Sequence, residues 1–324
     1  VLSFRQSGLY HRCVDSGRWR TSSVTAVSKR PALVLVVAAI AIQQLIASLC
    51  YPIAKVALLA IEPLTFAFYR FVISSAALLL LVWIRKPGIP IERKDWPRII
   101  LMGFMIIPFN QTLFLVGQAM TGAGHGAFLF ATTPVWVAIL ATMYLGERPP
   151  VFRWIGIFLA VSGTMVIMSS GAVEIGSEYL WGDLILLVSV MAWAAYTVVG
   201  KPLVRKYGAI RMTAYSLAAG SAMYFPFGLY RAIIFDYSQA TPFAWFAVVY
   251  MALGLSGVVY VLWYWLIKYM EASRVAIFQS IQPVIASAVA YYFLAESLGT
   301  AFVIGGLVVI AGVLLSEVRF KERV

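Results

Sequence analysis

The sequence predicts an all-α polytopic membrane protein: ten transmembrane helices arranged as two inverted five-helix repeats. Three observations carry that prediction. The 324 residues are 62% hydrophobic and 12% charged, with a mean hydropathy of +0.89, more apolar surface than a water-soluble fold can bury. A shift of 149 residues lays Pro134–Val135, Glu147, Gly156 and Gly163 on Pro283–Val284, Glu296, Gly305 and Gly312, which marks a duplication. Lys and Arg gather in alternate loops, the signature of membrane topology. The apolar runs are long and do not alternate, so helices of ~20 residues explain them and barrel strands do not.

The first run, 32–54, follows a basic tail and closes at the turn before Glu62–Pro63. The second, 63–84, opens on Pro63, which suits a first helical position, and stops at Lys86–Pro87–Gly88. The third, 98–118, ends at Thr121–Gly122, and the fourth, 125–145, at the stretch from Gly146 to Pro150. The fifth, 152–170, stops at Gly171, and the sixth, 180–200, at Lys201–Pro202. The seventh spans 210–230, and the eighth, 243–266, follows Thr241–Pro242. The ninth, 274–294, and tenth, 298–316, are separated by little more than Gly299.

Placing the N-terminus in the cytoplasm puts 22 of the 25 Lys and Arg residues on the inner side, leaving Lys55 and Arg231 outside and Arg70 within a span. Both termini are therefore expected in the cytoplasm, in a cell inner membrane. Five spans per half force the second half to enter with opposite orientation. The expected domains are a basic tail 1–30, repeats 31–171 and 172–318, and a tail 319–324. Residues 1–30 are rich in Arg and Ser and poor in acid, as in an organellar transit peptide. The chain opens on Val, with no Met before Met102. The tail reads as a disordered cytoplasmic extension or an over-extended start, in preference to a targeting segment. The net charge of +12 is a topology signal, and nucleic acid is not expected as a partner. Cys13 and Cys50, with His11 and His125, make neither a disulfide framework nor a metal cluster.

The stretches ATTPVWVAILATMYLGERP (131–149) and IQPVIASAVAYYFLAESL (281–298) each precede a helix with two Gly seven residues apart. With GDLILLVSVMAWAAYTVVGK (182–201) and EPLTFAFYRF (62–71), they resemble the drug/metabolite transporter superfamily, EamA type, over residues ~32 to ~316. That resemblance implies ten helices, a central cavity, alternating access, and export or exchange of amino acids or other small metabolites.

Within the spans, the residues divide into structural and cavity candidates. Glu147 and Glu296 sit at helix junctions and read as caps, because a carboxylate suits a helix N-terminus. Pro134 and Pro283 each free a backbone carbonyl and read equally as gating hinge or static kink. Gly156, Gly163, Gly305 and Gly312 read as close-packing positions. Arg70 is the basic residue inside a span, facing either a cavity or a partner such as Glu62 or Asp183. Gln43, Gln44, Asn110, Gln111, Thr133, Gln279 and Gln282 lie at mid-membrane depth, where uncharged polar groups either bond between helices or line a wet cavity. Trp136, Trp193, Tyr196 and Tyr260 suit the walls of a pocket. Trp263 and Trp265 read as an interfacial belt, and Lys55 and Lys201 as snorkelling residues. His125 reads as solvated.

No Asp or Glu sits mid-helix, which disfavours proton-coupled efflux of cationic drugs. The expected function is movement of a small neutral or zwitterionic metabolite by alternating access, with any carboxylate near Arg70, as a uniporter or exchanger. A nucleotide-sugar or phosphorylated-sugar exchanger needs more central cations than Arg70. Catalytic pairs are absent at membrane depth, so an enzyme is not expected; a scaffold or receptor is the alternative from another class. The expected partners are the solute and the lipid bilayer, with no cofactor or metal, and the chain is expected as a monomer or weak homodimer.

Overall fold

The computed structural model describes residues 31–85, 88–121, 123–168, 179–286, 288 and 300–317. Among them the chain forms helices and no strands. These are α1 (Leu33–Ala57), α2 (Pro63–Ile84), α3 (Arg93–Met120), α4 (Ala123–Ala131 and Thr133–Leu145), α5 (Val151–Met168), α6 (Leu180–Tyr207), α7 (Ala209–Ile234), α8 (Pro242–Tyr269), α9 (272–286) and α10 (Thr300–Glu317). Six are long and apolar enough to cross a membrane by length and composition, and α5 and α10 are shorter apolar helices. The architecture is that of a polytopic all-α membrane protein.

The faces of these helices are arranged for lipid. On α1 the outward positions are Leu33, Val34, Leu35, Val37, Ile42 and Leu45, while Gln43, Gln44, Ser48 and Tyr51 are buried. Large apolar side chains point out and polar ones in because the surrounding solvent is hydrocarbon.

Side-chain ties define two ends of the bundle. At one end Asp95 of α3 meets Lys206 (2.7 Å) and Tyr207 (2.6 Å) of α6, Arg211 of α7 donates to the Ile89 carbonyl (2.6 Å), and Arg153 of α5 pairs with Glu271, just before α9. At the other end Glu62, just before α2, pairs with Arg231 of α7, and Lys55 of α1 donates to the Thr121 carbonyl. The first end carries the basic residues, Arg85, Arg148, Arg205 and Lys268 among them; we call it the basic end. Helix α1 starts at the basic end and α6 finishes there, so these equivalent helices run in opposite senses.

The duplication also shows in local geometry. Helix α3 widens to a π-helical turn over Met105–Gln111, and α8 does so over Tyr250–Val259. The 149-residue shift carries the first stretch onto 254–260. Pro108 lacks the N–H a regular turn needs, which accounts for the first widening. Helices α5 and α10 cross at glycine. A Cβ on Gly156 would lie 2.5 Å from the Gly312 carbonyl, and one on Gly305 would lie 2.6 Å from the Gly163 carbonyl. The repeat maps 156 to 305 and 163 to 312, so this crossing maps onto itself, as a pseudo-two-fold axis requires.

Several boundaries differ from the sequence-based expectation. Lys201–Pro202 does not end α6, which continues to Tyr207 and stops where Gly208 adopts φ 88°. Pro202 removes one backbone donor, but Leu203, Val204 and Tyr207 are buried beyond it, and that packing outweighs a single lost bond. Helix α1 likewise runs through Pro52, and α7 runs through Pro226 to Ile234. Helix α4 ends as expected at Gly146, whose φ of 65° favours glycine.

Candidate functional site

Each helix in the centre contributes its inward stripe to one small chamber. Helix α1 brings Gln43, Ala47, Cys50 and Tyr51, spaced at three to four residues, while α3 brings Gln111 and Phe114, and α4 Phe130. Trp193 comes from α6, Leu255, Val259 and Tyr260 from α8, and Gln279 and Gln282 from α9. Its volume is about 40 Å³, room for two or three waters at roughly 10–15 Å³ each.

The wall is aromatic. Tyr51 meets Phe114 edge-on (6.0 Å between centroids), Phe114 meets Phe130 edge-on (5.4 Å), and Trp193 leans on Tyr260 (5.0 Å). Polar atoms are set into it. Tyr51 Oη donates to Gln282 Oε1 (2.8 Å), Gln282 Nε2 donates to Gln44 Oε1 (2.9 Å), and Gln44 Nε2 donates to Gln43 Oε1 (3.2 Å). This chain ties α1 to α9 across the two halves. Gln111 Oε1, Gln279 Oε1 and Trp193 Nε1 are buried and have no protein partner, and the Tyr260 hydroxyl faces the Arg70 guanidinium. A buried polar atom without a partner is costly, and three around one space point to an occupant that is polar as well as apolar.

Arg70 lies beside this chamber, close enough to Cys50 and Tyr260 to act on them electrostatically. It is fully buried, and its Nε donates to Ser256 Oγ (3.1 Å). The guanidinium carbon is 5.4 Å from the Phe71 ring centroid. The Tyr260 hydroxyl faces the guanidinium, whose Nη1 and Nη2 make no well-aligned hydrogen bond, and among the described residues no carboxylate lies within ion-pair distance of Arg70. Glu62, one expected partner, pairs with Arg231 instead.

The other sequence candidates fall elsewhere. Asn110 Nδ2 donates to the Ser189 carbonyl (2.7 Å) and Oγ (3.1 Å), so it joins α3 to α6 behind the chamber wall. Tyr196 bonds Ser216 (3.1 Å), Thr133 donates to the Phe130 carbonyl (2.5 Å), and Trp136 is half-buried against the core. None of these four lines the chamber. Thr132 interrupts α4 just before Pro134, and α9 tightens to a 3-10 turn over Ile277–Ile281 just before Pro283. Both prolines therefore sit at breaks in the regular helix. Trp263 is buried, with Nε1 donating to Thr197 (3.0 Å), and does not belong to an interfacial belt. Glu296 and the His125 side chain lie outside what is described.

Glu147 and Lys201 differ most from expectation. Lys201 Nζ is 2.6 Å from Glu147 Oε1, and both side chains are under one-tenth exposed, so Lys201 does not snorkel. Glu147 caps α9 and not the helix that follows it, accepting from Ala272 N (3.0 Å), Ser273 N (3.4 Å) and Ser273 Oγ (3.0 Å). Burial pushes its carboxyl up, but Lys201 and the α9 donors outweigh burial and hold it below the ordinary carboxylate value. This cluster joins the two halves at the basic end. Its sequence signal was the conserved spacing of Glu147 within the repeat, which says nothing about a partner 54 residues away. Tyr51, Phe114 and Phe130 could have been found from the sequence, since Tyr51 falls two turns beyond Gln43 and Gln44 on the same face.

The chain matches the EamA-like transporter family twice, over residues 32–169 and again over 180–317. An uncharacterized transporter of Archaeoglobus fulgidus is 27% identical over 266 residues, covering 82% of this chain and 91% of its own. A probable terminal-alkyne amino-acid exporter of Streptantibioticus cattleyicolor is 27% identical, covering 78% of this chain and 84% of its own. A solved crystal structure superimposes with a TM-score of 0.70 at 17% identity, covering 88% of this chain and 95% of that one, and so shares the fold. With both halves matched, the chain belongs to the EamA-like transporter family.

Proposed function

We propose that the protein moves a small zwitterionic metabolite of the amino-acid type across a cell inner membrane by alternating access, as an exporter or exchanger with both termini in the cytoplasm. The observation that carries this reading is the buried Arg70, which meets Ser256 and Tyr260 but, among the described residues, no carboxylate, beside a chamber with unpartnered polar atoms. An uncompensated buried cation is costly, and a solute carboxylate supplies the missing charge in bidentate form. Gln111 Oε1 and Gln279 Oε1 are acceptors for an ammonium group, and the rings of Phe114, Phe130 and Trp193 suit an apolar side chain. The amino-acid exporter among the relatives supports the same class. A phosphorylated solute would call for more than one cation at this depth, and among the described residues the chamber lining offers no pair of groups suited to acid–base or nucleophilic catalysis. The basic end faces the cytoplasm on this reading.

Counterflow of labelled amino acids in proteoliposomes tests the proposal. Uptake by the native protein should be competed by the amino acid and not by its decarboxylated amine. Arg70→Gln should raise KM about 10- to 100-fold, the worth of a charge-assisted hydrogen bond, with Arg70→Lys between. Equal competition by acid and amine, or a folded Arg70→Gln protein with unchanged KM, would refute the carboxylate assignment.

A further inference from the structure

A second and larger concavity opens at the basic end, between α1–α2 on one side and α7–α8 on the other. Its volume is about 980 Å³. Leu35, Ile42 and Leu79 line its depth, and Trp83 and Trp265 lie along it. From Leu35 to Ile42 the wall runs roughly 10 Å along α1, at 1.5 Å per residue, about the outer third of a ~30 Å hydrocarbon core. Arg85 at the end of α2, Arg211 at the start of α7 and Lys268 at the end of α8 line the same space.

The charges at this mouth are unbalanced. The nearby acids Glu92 and Asp95 are already taken by Lys94 and Lys206. Arg211 donates to the Ile89 carbonyl, and Lys268 rests 5.4 Å from the Tyr269 ring centroid. Among the described residues no carboxylate lies within ion-pair distance of Arg85, Arg211 or Lys268. The groove thus joins an apolar trough to three cations at membrane-interface depth.

We infer that this groove holds an anionic phospholipid, with its phosphate among Arg85, Arg211 and Lys268 and an acyl chain along α1 and α2. The acyl chain gives little preference over bulk lipid, because it leaves one apolar medium for another. Selection therefore rests on the headgroup: a zwitterionic lipid brings its own cation to a site that already has three, and an anionic one does not. The bound lipid bridges α2 of the first repeat to α7 and α8 of the second, so it stabilises one arrangement of the two halves.

Vesicles containing phosphatidylglycerol or phosphatidylcholine with brominated acyl chains test this, since bromine quenches tryptophan on contact. The component due to Trp83 and Trp265 is isolated by subtracting the Trp83→Phe/Trp265→Phe protein. Phosphatidylglycerol should be enriched at these tryptophans about 100-fold over phosphatidylcholine, roughly fivefold for each of three basic side chains near a headgroup. The Arg85→Gln/Arg211→Gln/Lys268→Gln protein should lose that preference. The Arg148→Gln/Arg205→Gln protein, with cations removed from the same end but outside the groove, should keep it. Equal quenching by the two lipids overturns the proposal, as does a preference that survives the groove substitutions or disappears equally in the control. Should the triple variant not fold, salt decides on the native protein: a preference that does not fall with rising ionic strength also overturns it.

Discussion

The glycine crossing of α5 and α10 gives the most direct test of the two-fold arrangement. A Cβ at Gly163 would stand 2.6 Å from the Val309 nitrogen and 2.7 Å from the Gly305 carbonyl. Ordinary Cβ contacts begin at 3.4 Å, so Gly163→Ala requires the two backbones to part by about 0.8 Å. Neither neighbouring atom belongs to a flexible side chain, so the helices must move as bodies. A gap of that size forfeits a quarter to a half of each dispersion contact along the crossing. Overpacking of this kind costs about 1–3 kcal/mol, and the helix-propensity gain of Gly→Ala returns at most about 1 kcal/mol of it. Gly306→Ala on the partner helix α10 is the control, since its Cβ would meet only Val284 Cγ1 at 3.8 Å. In detergent, thermal unfolding followed by loss of the monodisperse gel-filtration peak should show Gly163→Ala destabilised and Gly306→Ala unchanged or slightly stabilised. Gly156→Ala should resemble Gly163→Ala, and the double variant should cost less than the sum, because both open the same interface. If Gly163→Ala melts with the native protein, the close crossing is wrong, and with it the placement of the pseudo-two-fold axis.

Glu147→Gln should destabilise the protein by about 3 kcal/mol, because it leaves Lys201 buried without its counter-charge; a cycle with Lys201→Met should show a coupling of about 1–3 kcal/mol in the same unfolding assay. Glu147 is held below its ordinary value, so its contribution is fully present above the unfolded carboxylate pKa of about 4.3 and is lost as pH falls through the folded value. Melting temperature should therefore change little from this group between neutral pH and about 5 and fall below about 4, a drop that Glu147→Gln should lack. Pro283→Ala restores the donor that a regular turn of α9 needs, so a hinge at this break predicts unchanged or raised stability with slower counterflow; a counterflow rate equal to the native one would make the break a static kink.

The fold was legible because hydrocarbon imposes few solutions. Apolar run length set the spans, and the repeat set the two-fold relation. The chamber was legible in part, for the same reason: Gln43, Gln111, Gln279 and Gln282 are polar where polarity is expensive, so each had to meet a partner or a cavity. Which of the two it would meet could not be read. Asn110 and Gln111 are neighbours about 100° apart on one helix, and only the packing of α6 decides that Asn110 bonds Ser189 while Gln111 faces the chamber. Lys201 was misread because local sequence shows a helix end beside a proline, whereas its partner Glu147 arrives from another helix.

The size of the chamber and the placing of the ties bear on the same mechanism. About 40 Å³ holds water but no amino acid, so the described residues leave too little room at the centre for the proposed solute. Admission of a solute must therefore separate helices, and the ties show where separation meets resistance. At the basic end Glu147–Lys201, Arg153–Glu271 and Asp95–Lys206 each join the first half to the second, and at the opposite end Glu62–Arg231 does so. The first of these is withdrawn from water, while the Glu62–Arg231 side chains are about a quarter to a third exposed. Exposed pairs contribute about 0–1 kcal/mol, whereas breaking a buried pair by stranding one charge costs about 3–5 kcal/mol. Opening the basic end therefore requires something to replace the Glu147–Lys201 contact. Solute at Arg70 is a candidate for that role: Arg70 bonds Ser256 in the widened turn of α8, and α8 leads directly into Glu271 and the capped start of α9. A carboxylate that draws Arg70 inward pulls on the helix whose far end the buried pair holds shut.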